Sequence, residues 1–525
     1  MKTINRTRHN SFLASALIIS LGGLVSKLMG AVYRIPLTNL IGSYGMGLYQ
    51  LIFPPYIIVM TLATAGIPIA VSRLVAEYNQ KQLIGQSRKV FHYALTLLFS
   101  FGVLGSVLLF ALSGPLASWQ GNPQIAVAYK IISPSIIFIS VTAAFRGFYQ
   151  GNMNMVPVST SQVLEQVAKL AIGLTLARRF LPDVNKAVLG AVAAITASEL
   201  VSLLIVVIFY CFRSNRLPLE DCECETFDKR RIFSIALPVV MSSFIMQTVQ
   251  LLDSVMVVNL LKTNPTNLYG LWSGPVNSLL GLPVTLTAGV AVSALPAITR
   301  SFAKGDRNEL NDKYNQALKL TILMALPSAI GVTVLAKPIL SLLYGSLPAE
   351  EIALSATLLS ISAPSIIFVS LLQTVVATLQ ALCKPYVPVF LLVGGIAVKF
   401  VFNLILLPIE GVNIYGAAVS ETLCYLFAAV SGLIYLRLKQ GLKVDFTTNV
   451  LKPTACSLVM LLSLLALTIG AAGFISTWVG TLVAIALCVV IYFAMVYQLK
   501  IFNEGELNRI IRRRGNPNAA KEKPE

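Results

Sequence analysis

"SPSIIFIS" occupies Ser133–Ser140, and "APSIIFVS" occupies Ala363–Ser370. Six of the eight positions are identical, at an offset of 230 residues. The same offset joins Gln150 to Gln380 and Lys169 to Lys399. Upstream the offset is 223, taking Thr64–Gly66 to Thr287–Gly289 and Ala94–Leu95 to Ala317–Leu318. Downstream, Ser198–Glu199 resembles Ser420–Glu421. One match means little in a chain so rich in Ile and Leu. A nearly constant offset across successive segments means that the chain carries the same structural unit twice.

The repeated unit is apolar. The chain of 525 residues is 56% hydrophobic and 12% charged, with a mean hydropathy of +0.78. A soluble domain has about 25% charged residues, so this chain lacks the polar surface that water requires. Its apolar runs reach the roughly 20 residues that cross a bilayer as a helix. "LVSLLIVVIFY" (Leu200–Tyr210) is continuously apolar, whereas a strand of a membrane barrel would alternate. The predicted class is an all-α polytopic membrane protein. "FLASALIISLGGLVSKLMGAVY" reads as the first retained span, because it is long for a signal peptide, contains Lys27 and precedes no hydrophilic domain.

Apolar runs between polar breaks give fourteen predicted spans, with cores at 12–40, 49–71, 90–113, 125–145, 158–177, 187–212, 232–261, 268–295, 317–343, 352–381, 386–407, 414–436, 451–473 and 476–499. The repeat makes spans one to six recur as spans seven to twelve. The expected division is a first lobe over 1–212, a cytoplasmic linker over 213–231, a second lobe over 232–440, two further spans over 441–500 and a basic tail over 501–525. Six is an even number, so both copies insert the same way round. That is a parallel repeat, with pseudo-symmetry about the membrane normal and a substrate site between the lobes.

The net charge of +18 does not point to nucleic acid. With the N-terminus in the cytoplasm, thirty Lys and Arg fall on the cytoplasmic side. Five (Arg178, Arg179, Lys186, Lys262, Lys337) fall outside. This is the positive-inside pattern of a cell-membrane protein with both termini cytoplasmic. The seven cysteines are scattered and read as reduced thiols, with Cys383, Cys424, Cys456 and Cys488 as small hydrophobes in or beside spans. Cys222 and Cys224 form a C-x-C without a nearby His or a second pair, so no metal is assigned. There is no Walker A pattern, His9 and His92 have no metal spacing, and no polar loop is large enough to hold a nucleotide sugar. Enzymatic chemistry is therefore not expected, and neither is a bound cofactor.

"VSKLMGAVYRIPLTNLIGSYGMGLYQL", "GIPIAVSRLVAEY" and "FRGFYQGNMNMVPVSTSQVLEQVAKL" resemble the stage V sporulation protein B group. This group lies in the polysaccharide transport branch of the MATE-like (MOP) flippase superfamily and is related to the MurJ-type lipid II flippases. The resemblance covers about residues 10–500. It implies two six-helix lobes, two further helices and export of an undecaprenyl-pyrophosphate-linked glycan by alternating access. The implied partners are that lipid, the surrounding membrane lipids and wall-synthesis enzymes, with the chain itself a monomer. Two alternatives carry different expectations. A MATE multidrug antiporter would stop at twelve spans and favour acids in its cavity. A non-transporting scaffold would tolerate loss of every intramembrane charge.

A charge at the centre of a span costs about 2.5–3.5 kcal/mol, so each one present needs a reason. Arg34 lies deep in the first span, two residues before Pro36, with no acid in that span. Lys27 is seven residues earlier on nearly the same face. Two cations on one stripe suit an anion between them, and the planar fork of Arg suits a pyrophosphate. Arg73 and Arg146 stand at cytoplasmic span ends as candidate headgroup receivers. Lys169 and its repeat partner Lys399 complete the predicted substrate set. Lys169 follows Glu165 by four residues, so the two are expected to pair. Asp253 is expected near the depth of Arg34, as its partner in a gate. Glu165, Glu199 and Glu421 are intramembrane acids suited to bind a proton or Na⁺ for coupling.

Overall fold

The structure is a computed structural model. It describes residues 2–64, 66–214, 229–384, 386–471, 473, 477–499 and 501. The C-x-C at Cys222 and Cys224, most of the expected linker and nearly all of the basic tail lie outside the described residues, as does the side chain of Lys27.

The described chain is helical. In order, the helices are α1 (Lys2–Thr64), α2 (Ile67–Gln80), α3 (Ile84–Ala111), α4 (Ser113–Trp119), α5 (Ala126–Ile132), α6 (Ser135–Gly151), α7 (Val156–Phe180), α8 (Val184–Ser214), α9 (Arg230–Leu260) and α10 (Pro265–Leu271). They continue as α11 (Asn277–Ala303), α12 (Arg307–Val334), α13 (Ala336–Leu343), α14 (Ala349–Ser362), α15 (Ser365–Ala381), α16 (Val387–Leu406), α17 (Tyr415–Gln440), α18 (Lys452–Gly470) and α19 (Trp478–Gln498). Among the described residues ten stretches are long and apolar enough to cross a membrane, or eleven with α14 and α15 taken as one span bent by 42°. Each of the fourteen predicted cores overlaps a helix, so the count of fourteen is consistent with this set. The first stretch, Val32–Gln80, takes in the end of the first core and the whole of the second, and α1 kinks between them at Gly42, where φ is +71°. The helix α7 falls short by apolarity, since it carries Glu165 and Lys169.

The repeat seen in the sequence is also present in the backbone. Helices α6 and α15 are each 17 residues long and follow a proline, Pro134 or Pro364. Ile137 N–H donates to Pro134 O at 3.1 Å, and Ile367 N–H donates to Pro364 O at 3.1 Å. Both helices end in the same turn. Met153 has φ +56° and Cys383 φ +58°, with Asn154 N–H to Tyr149 O and Lys384 N–H to Leu379 O both at 2.9 Å. Gln82 and Gly305 share a left-handed turn at the upstream offset. Cys383 is exposed in its turn rather than buried, which corrects the expectation for that residue.

The chain divides into two compact units. The first comprises Met1–Leu282, Tyr344–Ser355 and Ile396–Ser420. One apolar cluster joins α2, α3 and α6 through Leu74, Phe91, Ala144 and Phe145, with Tyr210 of α8 packed on the two phenylalanines. The second comprises Pro283–Leu343, Ala356–Gly395 and Glu421–Glu525. There Tyr314, Leu318, Val375, Leu379 and Leu436 form one core, and Leu335, Met460, Leu464 and Tyr492 form another. Interhelical hydroxyl pairs, Thr287–Ser370 and Thr321–Thr374 at 2.7 Å, knit the first of these cores. Large apolar side chains that point outward, such as Leu104, Phe390, Ile469 and Val490, have the exposure expected of a lipid-facing surface.

Within the first unit, residues from the two halves of the repeat meet at the end predicted to face outward. Gly47 lies so close to α10 that a Cβ there would stand 2.0 Å from the carbonyl oxygen of Thr266, so no larger residue fits. Ser43 donates to Glu351 Oε1 at 2.7 Å, Ser346 to Asn39 Oδ1 at 2.7 Å, and Gln50 Nε2 to the Ser273 carbonyl at 2.8 Å.

The orientation can be tested with single cysteines in a cysteine-free background. Ser43, Leu347 and Gln86 are buried, so reporters belong on their exposed neighbours. Cysteine at Ala349 is expected to react with an impermeant thiol reagent added to intact cells, and cysteines at Gln82 and Arg307 are not. Labelling of the last two from outside would overturn the cytoplasmic N-terminus.

Candidate functional site

Four helices of the first unit bring charges to one neighbourhood. Ser161, Glu165 and Lys169 are spaced by four along α7 and share a face, and Glu199 and Ser202 share a face of α8. Arg146 of α6 reaches between these two helices. Its Nη2 donates to Glu165 Oε2 at 2.9 Å and to Ser202 Oγ at 2.8 Å, and its Nε donates to Ser161 Oγ at 3.3 Å. The guanidinium suits this role because its donors lie in one rigid plane.

Glu165 is therefore ion-paired with Arg146 and not with Lys169, which corrects the pairing expected from helical spacing. Lys169 instead places its ammonium over the ring of Tyr33 on α1, 5.6 Å from the centroid. Arg34, the next residue of α1, is half-buried and acts electrostatically on Lys169. Among the described residues Arg34 has no ion-pair partner. Glu199, three residues before Ser202 on α8, feels the charges of Glu165, Arg146 and Lys169. Five intramembrane charges that the sequence offered separately thus form one cluster with three cations and two acids. Arg73 stands apart, exposed on α2. Glu421 is half-buried on α17 in the second unit.

A second charged group, also inside the first unit, is self-contained. Asp253 of α9 accepts from Lys399 Nζ at 2.7 Å and from Asn403 Nδ2 at 3.1 Å. Ser420 donates to Asn403 Oδ1. Lys399 also sits 5.5 Å from the centroid of the Trp272 ring. Both side chains of the ion pair are about nine-tenths buried, at 8% and 10% exposure. The expected Arg34–Asp253 gate is thereby corrected, because both oxygens of Asp253 are occupied from α16. Lys399 is likewise neutralised and does not join the cationic cluster.

Several contributors were missed at the level of sequence. Ser161 and Ser202 lie four residues before Glu165 and three after Glu199, so helical spacing could have flagged them. Asn403, four residues after Lys399, carried the same signal, whereas Tyr33, Trp272 and Ser420 gave none, because their roles depend on which helices touch.

The architecture is a fold that solved transporters of the MOP superfamily share. A solved lipid II flippase MurJ in an inward closed conformation superposes with a TM-score of 0.72, covering 92% of this chain and 99% of that one at 16% identity. An inward-facing multidrug resistance MATE family transporter of the MOP superfamily gives 0.69, covering 81% and 98% at 15% identity. At such identities the likeness establishes the fold alone.

The family comes from the sequence. Residues 12–302, more than half of the chain, match the polysaccharide biosynthesis protein family, and this chain belongs to it. Residues 238–405 also match the MatE family. Three similar proteins of Bacillus subtilis (strain 168) are each 26% identical to the chain. They are the membrane protein YabM, with 94% of both chains covered, the lipid II flippase MurJ, with 82% of this chain and 84% of the relative, and stage V sporulation protein B, with 83% and 84%. The family resemblance drawn from "YRIPL", "GLYQ" and "QVLEQV" is thus met.

Buried pairs are costly to break from one side. Removing one partner of such a pair destabilises by about 3–5 kcal/mol, whereas replacing both by well-packed apolar residues can be neutral. Asp253→Leu and Lys399→Met are each expected to lower the thermal midpoint of the purified protein, and the double variant to recover most of the loss. Additive losses in the double variant would show that the two residues act independently.

Proposed function

We propose that this protein is a flippase that moves an undecaprenyl-pyrophosphate-linked glycan from the inner to the outer leaflet by alternating access. The observation that carries the reading is the surplus of positive charge in the first half, with Arg34 free of an ion-pair partner among the described residues. A cation kept at cost inside an apolar span is explained by an anionic ligand that completes it. The diphosphate of a lipid carrier is such a ligand, and Arg34 offers it two parallel donors. Lys169 beside it adds a point charge, and Arg146, fixed by Glu165, Ser161 and Ser202, holds the frame. Similarity to a lipid II flippase and to stage V sporulation protein B supports a lipid-linked wall precursor as cargo. The membership of known relatives in transporter families supports transport without covalent chemistry. In this reading Arg73 is a peripheral receiver at the cytoplasmic mouth, and Lys399 takes a structural role with Asp253.

The outer contacts fit such a cycle. Ser346 with Asn39 and Ser43 with Glu351 join residues of the two halves of the repeat, at the end this reading assigns to the outside, and release would require them to part. A disulfide between cysteines placed at Asn39 and Ser346 is expected to stop function, and reduction to restore it. Full activity of the cross-linked protein would remove these contacts from the gate.

Substitution of Arg34 separates the flippase from its rivals. Arg34→Ala is expected to abolish complementation of a strain lacking its wall-precursor flippases, with membrane levels matched by blot. Arg34→Lys, which keeps the charge and loses the fork, should retain partial activity. Arg34→Glu should be the most damaging. A cation-exporting antiporter would tolerate the acid, and a scaffold would show no ordering. Full activity of the Ala variant would remove Arg34 from the substrate path.

A further inference from the structure

The two copies of the repeat treat an equivalent lysine differently. In the second copy Lys399 and, one turn on, Asn403 of α16 hold the carboxylate of Asp253 on α9, at 2.7 and 3.1 Å. An ammonium and a neutral N–H donor thus grip one anion, inside a span where an unpaired ammonium is expensive. The offset of 230 carries Lys399 back to Lys169 and Asn403 back to Gly173, both on α7. The offset of 220 that relates Asn259 to Asn39 carries Asp253 back to Tyr33 on α1. The contacts agree with this register, since Lys169 meets Tyr33 where Lys399 meets Asp253.

In the first copy the two donors are present and the carboxylate is not. Lys169 keeps the ammonium. Gly173 has no side chain to match the amide of Asn403, and the Tyr33 hydroxyl takes that place, because a Cβ on Gly173 would stand 2.3 Å from Tyr33 Oη. A phenol is a hydrogen-bond donor that brings no charge at neutral pH. Tyr33 is 2% exposed, and its hydroxyl has no hydrogen-bond partner among the described residues. Burying such a group without a partner is costly. Lys169 forms no ion pair among the described residues. The acid one turn before it, Glu165, accepts at one oxygen from Arg146 at 2.9 Å and at the other from Gln166 Nε2 at 3.2 Å. Lys169 and Arg34 are half-buried, so a ligand can reach their charged ends.

We propose that Tyr33 Oη and Lys169 Nζ form an anion subsite that binds one phosphate oxygen of the ligand, in the place that the Asp253 carboxylate takes against Lys399 in the second copy. The identity of the ligand as the diphosphate of a lipid carrier rests on the flippase reading. The second copy carries its anion within the chain, and the first receives one from outside. Tyr33 and Lys169 touch the anion, Arg34 beside Tyr33 offers its fork to another oxygen of the same diphosphate, and Gly173 is a positioning residue that lets the hydroxyl approach α7. An acid at position 33 would fill the subsite from within.

Equilibrium binding of undecaprenyl pyrophosphate to the full chain in lipid nanodiscs tests the subsite. Tyr33→Phe keeps the ring under the lysine and removes only the donor. It is expected to weaken binding on the order of tenfold, with the thermal midpoint of the ligand-free protein unchanged. Tyr33→Asp sets a carboxylate against Lys169, as in the second copy, and is expected to abolish binding while the midpoint holds or rises. Tyr33→Asn, of the same shape without the charge, should retain measurable binding, which separates the charge from the loss of the ring. Wild-type affinity in Tyr33→Phe, or equal affinities in the Asp and Asn variants, overturns the subsite. If Arg34→Ala still loses binding in that case, the flippase reading stands without it. Inorganic pyrophosphate is the second probe. Binding of that anion with the same order among the variants, where the lipid does not bind, keeps the subsite and overturns the lipid cargo. A wild-type protein that binds neither probe overturns both.

Discussion

An ionised side chain in an apolar span must find its compensation inside the protein, and most of what is distinctive in this structure follows from how that is done. Backbone groups solve the problem by forming helices. Side chains have no single solution. Arg146 collects an acid and two hydroxyls from two helices, so that α6, α7 and α8 are tied by one guanidinium. Asp253 and Lys399 solve it as a closed pair with an amide and an indole as second partners. Lys169 rests on an aromatic face, where the negative ring surface partly replaces water.

The repeat makes the contrast between the halves informative. Lys169 and Lys399 are equivalent by sequence offset, and each ammonium stands over an aromatic ring at nearly the same distance, 5.6 and 5.5 Å. Their electrostatic fates differ. Lys399 faces its own acid, while Lys169 has Arg34 as a neighbour. At the same offset the positions of Arg146 and Glu165 are filled by Val376 and Gly395. The scaffold recurs in both copies, while the surplus of cations lies in the first. A transporter that receives an anionic headgroup gains from such asymmetry, because a second cationic centre would hold the ligand after release is needed.

The apolar runs, the repeat and the family signature were legible in the chain because each is a property of consecutive residues. The intramembrane charges were legible as well, since any charge in such runs stands out. Their partners were not. Spacing by four put Glu165 and Lys169 on one face and suggested a pair, but spacing is only a necessary condition, and Arg146 arrives from another helix with better geometry. Equal depth suggested Arg34 and Asp253, yet depth says nothing of azimuth, and α9 turns Asp253 toward α16. The kink at Gly42 and the bend between α14 and α15 were hidden for a similar reason. Glycine and proline mark where a membrane helix is free to break, and neighbouring helices decide whether it does.

Compensation that is complete in one place and incomplete in another sorts structural charge from functional charge. In the Asp253–Lys399 group the two charges face each other, with Asn403 and Trp272 as further partners, so a ligand would have to displace contacts already made. The cluster of Arg34, Lys169, Arg146, Glu165 and Glu199 has more cations than ionised acids, whichever protonation state the acids adopt. Folding alone offers no reason to keep that imbalance, since replacing Arg34 by an apolar residue would ease insertion. In the flippase reading proposed above, a ligand that carries negative charge supplies the reason.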